Sequence, residues 1–209
     1  SWKDLRDRLE PKDRLCFSFF HPSMQDEPLI FVVVALMDRV PENIAEVLSD
    51  ERAIVLNGNE TTAVFYSISN CQKGLKGISF GNFLIKQVAN AIRTDFPNIK
   101  DFVTLSPVPD FMEWIKLENT SLFQAIDDDL WIKNSNNYKE EILKTSLDYF
   151  FKSSRSDGFP NDSVARFHLG NGAILERINF LGDQSEKALK TAAGLMVNYK
   201  YNLESIEQN

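Results

Sequence analysis

The chain has 209 residues, of which 43% are hydrophobic and 25% charged, and its formal net charge is −7. This composition is typical of a globular protein, and no segment reaches the apolar length that a membrane span requires. The acidic balance without a Lys/Arg stripe argues against a nucleic-acid partner, and the spacing of Cys16 and Cys71 predicts neither a disulfide framework nor a metal site.

The first predicted elements are two strands and a helix. Leu15 to Phe20 and Pro28 to Leu36 alternate or run apolar, which is typical of strands. His21 to Glu27 is expected to form the loop between them. A helix is predicted from about Pro41 to Leu48, because proline is tolerated in the first turn of a helix.

The next segment predicts a βαβ unit, with a strand at 63–69, a helix at 80–96 and a strand at 99–105. Three glycines punctuate the loop between 74 and 81, where the helix begins. Exposed N–H groups at a helix N-terminus bind anions, and glycine lets a phosphate approach the backbone. The loop has neither the Walker nor the Rossmann pattern, so an anion site and a plain turn both stay open.

The C-terminal half is predicted to be helical first and mixed afterwards. Residues 111–152 follow a helical pattern with a break at 134–137. Residues 173–180 and 195–201 alternate enough to be strands or short helices, and a charged helix is predicted between them at about 185–193.

His168 is the first candidate for proton chemistry. The chain has only two histidines, and this one lies in an apolar run that ends in a glycine-rich turn. Histidine is the side chain whose unperturbed pKa lies in the physiological range. The alternative is a histidine buried for structural reasons, and the residue by itself does not decide between the two.

Ser106 and two tyrosines are further candidates. Ser106 follows a predicted parallel strand, where open α/β sheets place their ligands, although a serine before a proline is also a common strand terminator. No GxSxG elbow is present, so a hydrolase triad is not supported. Tyr199 and Tyr201 could supply hydroxyl donors, but their alternation also favours one buried and one exposed ring.

A series of motifs points to one family. They are His21-Pro22, Glu27-Pro28-Leu29, Tyr66-Ser67-Ile68-Ser69 with the loop and helix up to Lys86, Leu105-Ser106-Pro107-Val108-Pro109, Phe167-His168-Leu169, Asn171-Gly172-Ala173, Arg177-Ile178-Asn179, Gly194-Leu195-Met196 and Asn198-Tyr199. In order and approximate spacing, these motifs resemble the malonyl-CoA decarboxylase family. The resemblance extends over nearly the whole chain and corresponds to the C-terminal, catalytic half of that family.

The resemblance implies an α/β (α+β) fold similar to the GNAT acyltransferases, with a mixed sheet flanked by helices. Residues 1–209 are then expected to form a single catalytic domain with a helical insertion at about 111–152. The N-terminal helical domain of the family is expected to be absent from this chain.

The resemblance also implies the site residues. It places the family's catalytic serine and histidine at Ser106 and His168 and an active-site tyrosine at Tyr201. The GNAT pyrophosphate motif falls on Lys76-Gly77-Ile78-Ser79-Phe80-Gly81, with lysine in place of the usual Gln or Arg and Ser79 in place of a glycine.

The implied activity is that of a carboxy-lyase of fatty acid metabolism, which converts malonyl-CoA to acetyl-CoA and CO2. The reaction would pass through a thioester enolate that Ser106 and His168 stabilise and protonate. No cofactor is expected, because the thioester is already an electron sink. Malonyl-CoA and acetyl-CoA are the expected small-molecule partners, and no nucleic acid or membrane is expected.

The resemblance also bears on assembly and compartment, and it leaves two other functions open. A homo-oligomer is expected for the full-length protein, which would be cytoplasmic in a bacterium and mitochondrial or peroxisomal in a eukaryote. The alternative functions are a CoA-dependent N-acyltransferase, which the same fold could provide, and a non-catalytic acyl-CoA-binding module. The lack of an acceptor-site signature and the presence of Ser106 with His168 favour decarboxylation.

Overall fold

The computed structural model describes residues 11–49, 51, 53–55, 58–71, 81–128, 130–152, 158 and 160–202. They form two compact units. The first contains the described residues up to Leu105, Asn171–Ala173 and those from Lys200 onward, and the second contains Ser106–Gly170 and Ile174–Tyr199. Both units combine strands and helices, which confirms the predicted α/β class. The single domain over 1–209 stays a prediction.

The first unit is built on a mixed sheet. Its elements are β1 (Arg14–His21), β2 (Met24–Met37), α1 (Ile44–Leu48), β3 (Thr62–Asn70), α2 (Gly81–Asp95), β4 (Asp101–Thr104) and the last two residues of β7 (Met196–Tyr201). β1, β2 and β3 pair antiparallel in chain order, β3 and β4 pair parallel, and β4 pairs antiparallel with the end of β7. The predicted βαβ unit is therefore β3, α2 and β4, since parallel neighbours require a crossover.

The hairpin of β1 and β2 is longer than predicted. The segment His21 to Glu27 was expected to be a loop, but β1 ends at His21 and β2 already begins at Met24. Shifts of register on either side of Phe20 let the ladder continue to the turn. Main-chain hydrogen bonds do not depend on side-chain polarity, so the polar composition of this hairpin end concealed the strands.

The second unit is mostly helical. Its elements are β5 (Ser106–Pro107), α3 (Phe111–Glu118), α4 (Thr120–Ile126), a 3-10 helix (Trp131–Asn137), α5 (Lys139–Phe151), α6 (Ser163–Gly170), β6 (Ala173–Asn179, from Ile174), α7 (Glu186–Ala192) and β7 as far as Tyr199. Helix α3 contacts α4, α5 and α7. The predicted break at 134–137 falls in the 3-10 helix, where Asn134 leaves helical geometry at φ −126° and ψ 31°.

The two segments that the sequence left open between strand and short helix are the strands β6 and β7. Within the second unit, β7 pairs antiparallel with β5 and also pairs with β6. Met196, Val197, Asn198 and Tyr199 are all buried, so the strand is covered on both faces. A strand covered on both faces shows a weak alternation of apolar and polar residues, which explains why the periodicity did not decide its type.

Candidate active site

Ser106 is the first residue of β5 and follows the parallel strand β4 after a single intervening residue. It pairs with Val197 of β7, and it is 6% exposed. Pro107 and Pro109 restrict the backbone immediately after it. The serine hydroxyl is therefore held by a short strand in a buried position.

His168 lies in the last turn of α6, a helix that the sequence pattern did not predict. The helix has only eight residues, and its buried face consists of Ala165 and His168, three positions apart. One of these residues is polar, so the apolar pattern that marks a longer helix is missing.

The structure brings Ser106 and His168 together, although 62 positions separate them in the chain. The distance between Ser106 Oγ and His168 Nε2 is 3.1 Å, which is a hydrogen bond. Either atom can donate, because the direction depends on the imidazole tautomer. This is the spacing at which an imidazole orients or activates a hydroxyl.

Burial sets the charge of the imidazole. His168 is 4% exposed, and desolvation lowers its pKa to about 3. The ring is therefore neutral at physiological pH, with one N–H donor and one nitrogen acceptor. A neutral imidazole can accept a hydrogen bond from the Ser106 hydroxyl or donate one to it, and in either case it carries no positive charge.

Tyr199 covers one face of the His168 ring. Its ring stacks on the imidazole of His168, with centroids 4.7 Å apart and planes 24° apart, and Phe167 meets the same imidazole edge-on at 5.0 Å. The tyrosine reaches this face because Val197, which pairs with Ser106, and Tyr199 are two residues apart on β7. The ring contacts explain how the second unit keeps His168 away from water.

The expectation of one buried and one exposed tyrosine was wrong. Tyr199 is 0% exposed and Tyr201 is 2% exposed. Residues two apart on a strand lie on the same face, so both rings are covered where that face is covered. Burial raises the pKa of the Tyr201 phenol, which keeps the hydroxyl protonated.

A buried amide that the sequence patterns did not reveal lies beside Tyr199 in the strand β7. Asn198 is fully buried, and its Oδ1 accepts hydrogen bonds from Asn179 Nδ2 at 2.8 Å and from Arg177 Nε at 3.2 Å. Arg177 is half-buried, and this hydrogen bond ties it to β7. An amide between Val197 and Tyr199 was the signal that Asn198 needs partners, since buried polar groups require them.

A match with a known protein family identifies the family of this chain. The family model described as "Malonyl-CoA decarboxylase C-terminal domain" matches residues 1–209. The chain belongs to the malonyl-CoA decarboxylase family.

Relatives with known names support the membership. The mitochondrial malonyl-CoA decarboxylase of Anser anser anser is 32% identical over 243 residues, a match that covers 100% of this chain and 48% of that protein. The crystal structure of malonyl-CoA decarboxylase from Agrobacterium vitis is 51% identical with a TM-score of 0.90, covering 100% of this chain and 55% of that one. The chain spans about half the length of the malonyl-CoA decarboxylases it matches.

A more distant likeness concerns the fold alone. The GphF GNAT-like decarboxylase in complex with isobutyryl-CoA is 17% identical, has a TM-score of 0.63 and covers 97% of this chain and 85% of that one. The GNAT-like fold that the sequence resemblance implied is confirmed.

The structure describes some of the expected site residues and not others. Ser106 and His168 lie in contact in the second unit. Tyr201 belongs to the first unit, where it pairs with Phe102 of β4. Of the expected pyrophosphate loop, Lys76, Gly77, Ile78, Ser79 and Phe80 lie outside the described residues, and Gly81 is the first residue of α2. Among the described residues, no group of three or more His, Cys, Asp or Glu side chains is arranged to hold a metal ion.

Proposed function

We propose that this chain converts malonyl-CoA to acetyl-CoA and CO2. The observation that carries the proposal is the buried hydrogen bond between Ser106 and His168, 3.1 Å long, in a chain that belongs to the malonyl-CoA decarboxylase family. The names of its relatives support the substrate, since they are malonyl-CoA decarboxylases.

The reaction needs few groups. The bond between C2 and the free carboxylate of the malonyl group breaks, CO2 leaves, and the electron pair of that bond moves into the thioester as an enolate. C2 then takes up one proton, so that malonyl-CoA and one proton give acetyl-CoA and CO2. A pocket poor in water favours loss of the charged carboxylate, and hydrogen-bond donors stabilise the enolate oxygen.

Ser106 and His168 have complementary roles in this proposal. Ser106 donates a hydrogen bond or a proton near C2, and His168 orients the serine or the malonyl carboxylate. Because the imidazole is neutral, His168 can hold the Ser106 hydroxyl without forming an ion pair with the carboxylate of the substrate. Tyr201 is proposed as a further active-site hydroxyl, which its buried and protonated phenol would suit.

The binding of the CoA ester is proposed to use the segment Lys76-Gly77-Ile78-Ser79-Phe80-Gly81. Its glycines and the start of α2 would offer backbone N–H groups to the pyrophosphate. No cofactor is proposed, because the thioester of the substrate already accepts the electron pair.

The experiment compares the turnover of malonyl-CoA by the wild-type chain, Ser106→Ala, His168→Asn and the double variant. Each single change is expected to lower kcat by about 100-fold or more, and the double change to cost little beyond either one, since the two residues act as a unit. His21→Asn is the matched control, because it changes the other histidine, which is exposed. Near-wild-type turnover by both single variants would contradict the proposed roles.

The remaining expectations concern assembly and compartment. We propose a homo-oligomer for the full-length protein, located in the cytoplasm of a bacterium or in the mitochondria or peroxisomes of a eukaryote. The relative from Anser anser anser, which is named as mitochondrial, supports the mitochondrial option. Within the described part of the chain, no helix has the length and apolar character needed to cross a membrane.

A further inference from the structure

Helix α6, which carries His168, begins at a buried carboxylate. Asp162 directly precedes the helix and is 1% exposed. Its Oδ1 accepts a hydrogen bond from the backbone N–H of Ala165 at 2.7 Å, and its backbone carbonyl accepts one from the N–H of Arg166 at 3.0 Å. These are the contacts of an N-cap residue, so Asp162 determines where the first turn of α6 starts.

The second oxygen of the same carboxylate joins α6 to another helix. The hydroxyl of Tyr149 on α5 donates to Asp162 Oδ2 at 3.1 Å. Tyr149 is 1% exposed, and its ring contacts Phe111, Trp114 and Phe150 with centroids 5.2 to 5.6 Å away. The start of α6 is thus attached to a tightly packed aromatic cluster, in which the Tyr149 side chain has little freedom to move.

The segment that leads into α6 is fixed as well. The Nη1 atom of Arg166 donates to the carbonyls of Pro160 and Asn161, each at 3.1 Å. The guanidinium therefore holds the two residues that precede Asp162 against the first turns of the helix.

A buried carboxylate is a costly way to cap a helix. Burial raises the pKa of Asp162, and only in part do its hydrogen bonds from Ala165, Tyr149 and Val164 lower it again. In the part of the chain that the structure describes, Asn43, Asn119 and Ser185 cap other helices with neutral side chains. A neutral cap would satisfy the backbone of α6 equally well, and what Asp162 adds is a second polar atom that bonds to α5.

We propose that Asp162 is a positioning residue, which fixes the start of α6 and thereby the distance between His168 Nε2 and Ser106 Oγ. His168 follows Asp162 by six residues, about 9 Å of helix, within which α6 is too short to bend. A shift of the helix by about 1 Å would carry the contact from 3.1 Å beyond hydrogen-bonding distance. The kinetic part of this proposal rests on the proposed function, whereas the spectroscopic part does not.

The test uses the two histidines of the chain as reporters. In the chain labelled with 15N-histidine, NMR shows two rings, and Ser106→Ala identifies the signal of His168 Nε2 without its serine partner. Asp162→Ala is expected to move this signal more than half of the way toward its position in Ser106→Ala. It is also expected to lower kcat by about tenfold or more, with KM changed by less than about twofold, because misalignment acts on the chemical step.

Three further variants separate positioning from stability. Ser185→Ala removes the N-cap of α7, where the serine side chain accepts a hydrogen bond from the N–H of Ala188. This variant should lower the free energy of unfolding about as much as Asp162→Ala does, without moving the His168 signal. Asp162→Asn can still accept from the Ala165 N–H through its amide oxygen, and its amide nitrogen can donate to the Tyr149 hydroxyl. This variant should therefore retain the wild-type His168 signal and kcat. Tyr149→Phe deletes one hydroxyl only, and it serves if Asp162→Ala does not fold.

The proposal is wrong if Asp162→Ala, or Tyr149→Phe in its place, leaves the His168 signal at the wild-type position. It is equally wrong if Ser185→Ala moves that signal as far. Should the wild-type chain leave malonyl-CoA unchanged, the proposed function fails, while the position of the His168 signal still decides the role of Asp162.

Discussion

At the scale of single residues, the environment of His168 determines what it can do. The imidazole lies between the hydroxyl of Ser106 and the ring of Tyr199, and burial keeps it uncharged. An uncharged imidazole suits a reaction in which negative charge moves from a carboxylate to an enolate, because a fixed cation would also hold the carboxylate of the substrate. The contacts of His168 with Ser106 and Tyr199 therefore fix the position of the ring and also keep it uncharged.

The burial of His168 predicts how stability depends on pH. The folded pKa is lowered from 6.5 to about 3, so below pH 6.5 the unfolded chain binds a proton that the folded chain excludes. The stabilisation is complete above pH 6.5 and is lost as the pH falls toward 3, with a slope of up to about 1.4 kcal/mol per pH unit from this residue.

Urea unfolding between pH 7 and pH 4 measures this dependence. The wild-type chain should lose more stability than His168→Asn over this range, because the variant lacks the titrating ring while all other groups are shared. Parallel pH profiles of the two proteins would show that the imidazole is not held in its neutral form.

At the scale of elements, the sequence predicted the helices and strands that are long enough for their apolar residues to show a regular spacing. The helix α2, with 15 residues, has a clear apolar face, and the βαβ unit around it followed from the pattern. The strand β5 has two residues and the helix α6 has eight, with His168 on its buried face, so neither shows a readable period. These two elements carry the pair of candidate catalytic residues.

The turn between α7 and β7 is a second determinant of the site, because β7 carries Tyr199. Gly194 has φ +73°, and a Cβ there would lie 2.9 Å from Leu181 Cδ2 and 3.1 Å from the carbonyl oxygen of Asp183. Gly194→Ala is therefore expected to lower the free energy of unfolding by about 2 to 3 kcal/mol, from the left-handed backbone and the collision together.

Gly158→Ala is the matched control for the collision. Gly158 has φ +80°, but among the described atoms none would lie within 4 Å of its Cβ. This variant should lose about 1 kcal/mol, from the backbone alone. Equal losses in urea unfolding for the two variants would show that the packing around Gly194 yields to the added methyl group.

At the scale of the whole molecule, the site depends on residues that the sequence does not bring together. Ser106 and His168 are 62 positions apart, and their roles came from the resemblance to a family, whereas their contact is a property of the folded second unit. The partners of Tyr199 and Asn198 could not be predicted, because stacking on an imidazole and sharing one amide oxygen depend on how strands and helices pack. Sequence periodicity predicts which residues share a face of one element, but not which residues of another element they contact.

The chain spans about half the length of the malonyl-CoA decarboxylases it matches, so its own activity is the central question. The most direct measurement supplies malonyl-CoA with 13C in the free carboxyl group, without any amine acceptor, and follows the label and acetyl-CoA together. The proposed function predicts one labelled CO2 for each acetyl-CoA formed by the wild-type chain, and a loss of about 100-fold or more in rate with Ser106→Ala. Label that stays in the carboxyl group of malonyl-CoA would contradict it, as would CO2 released equally fast by Ser106→Ala.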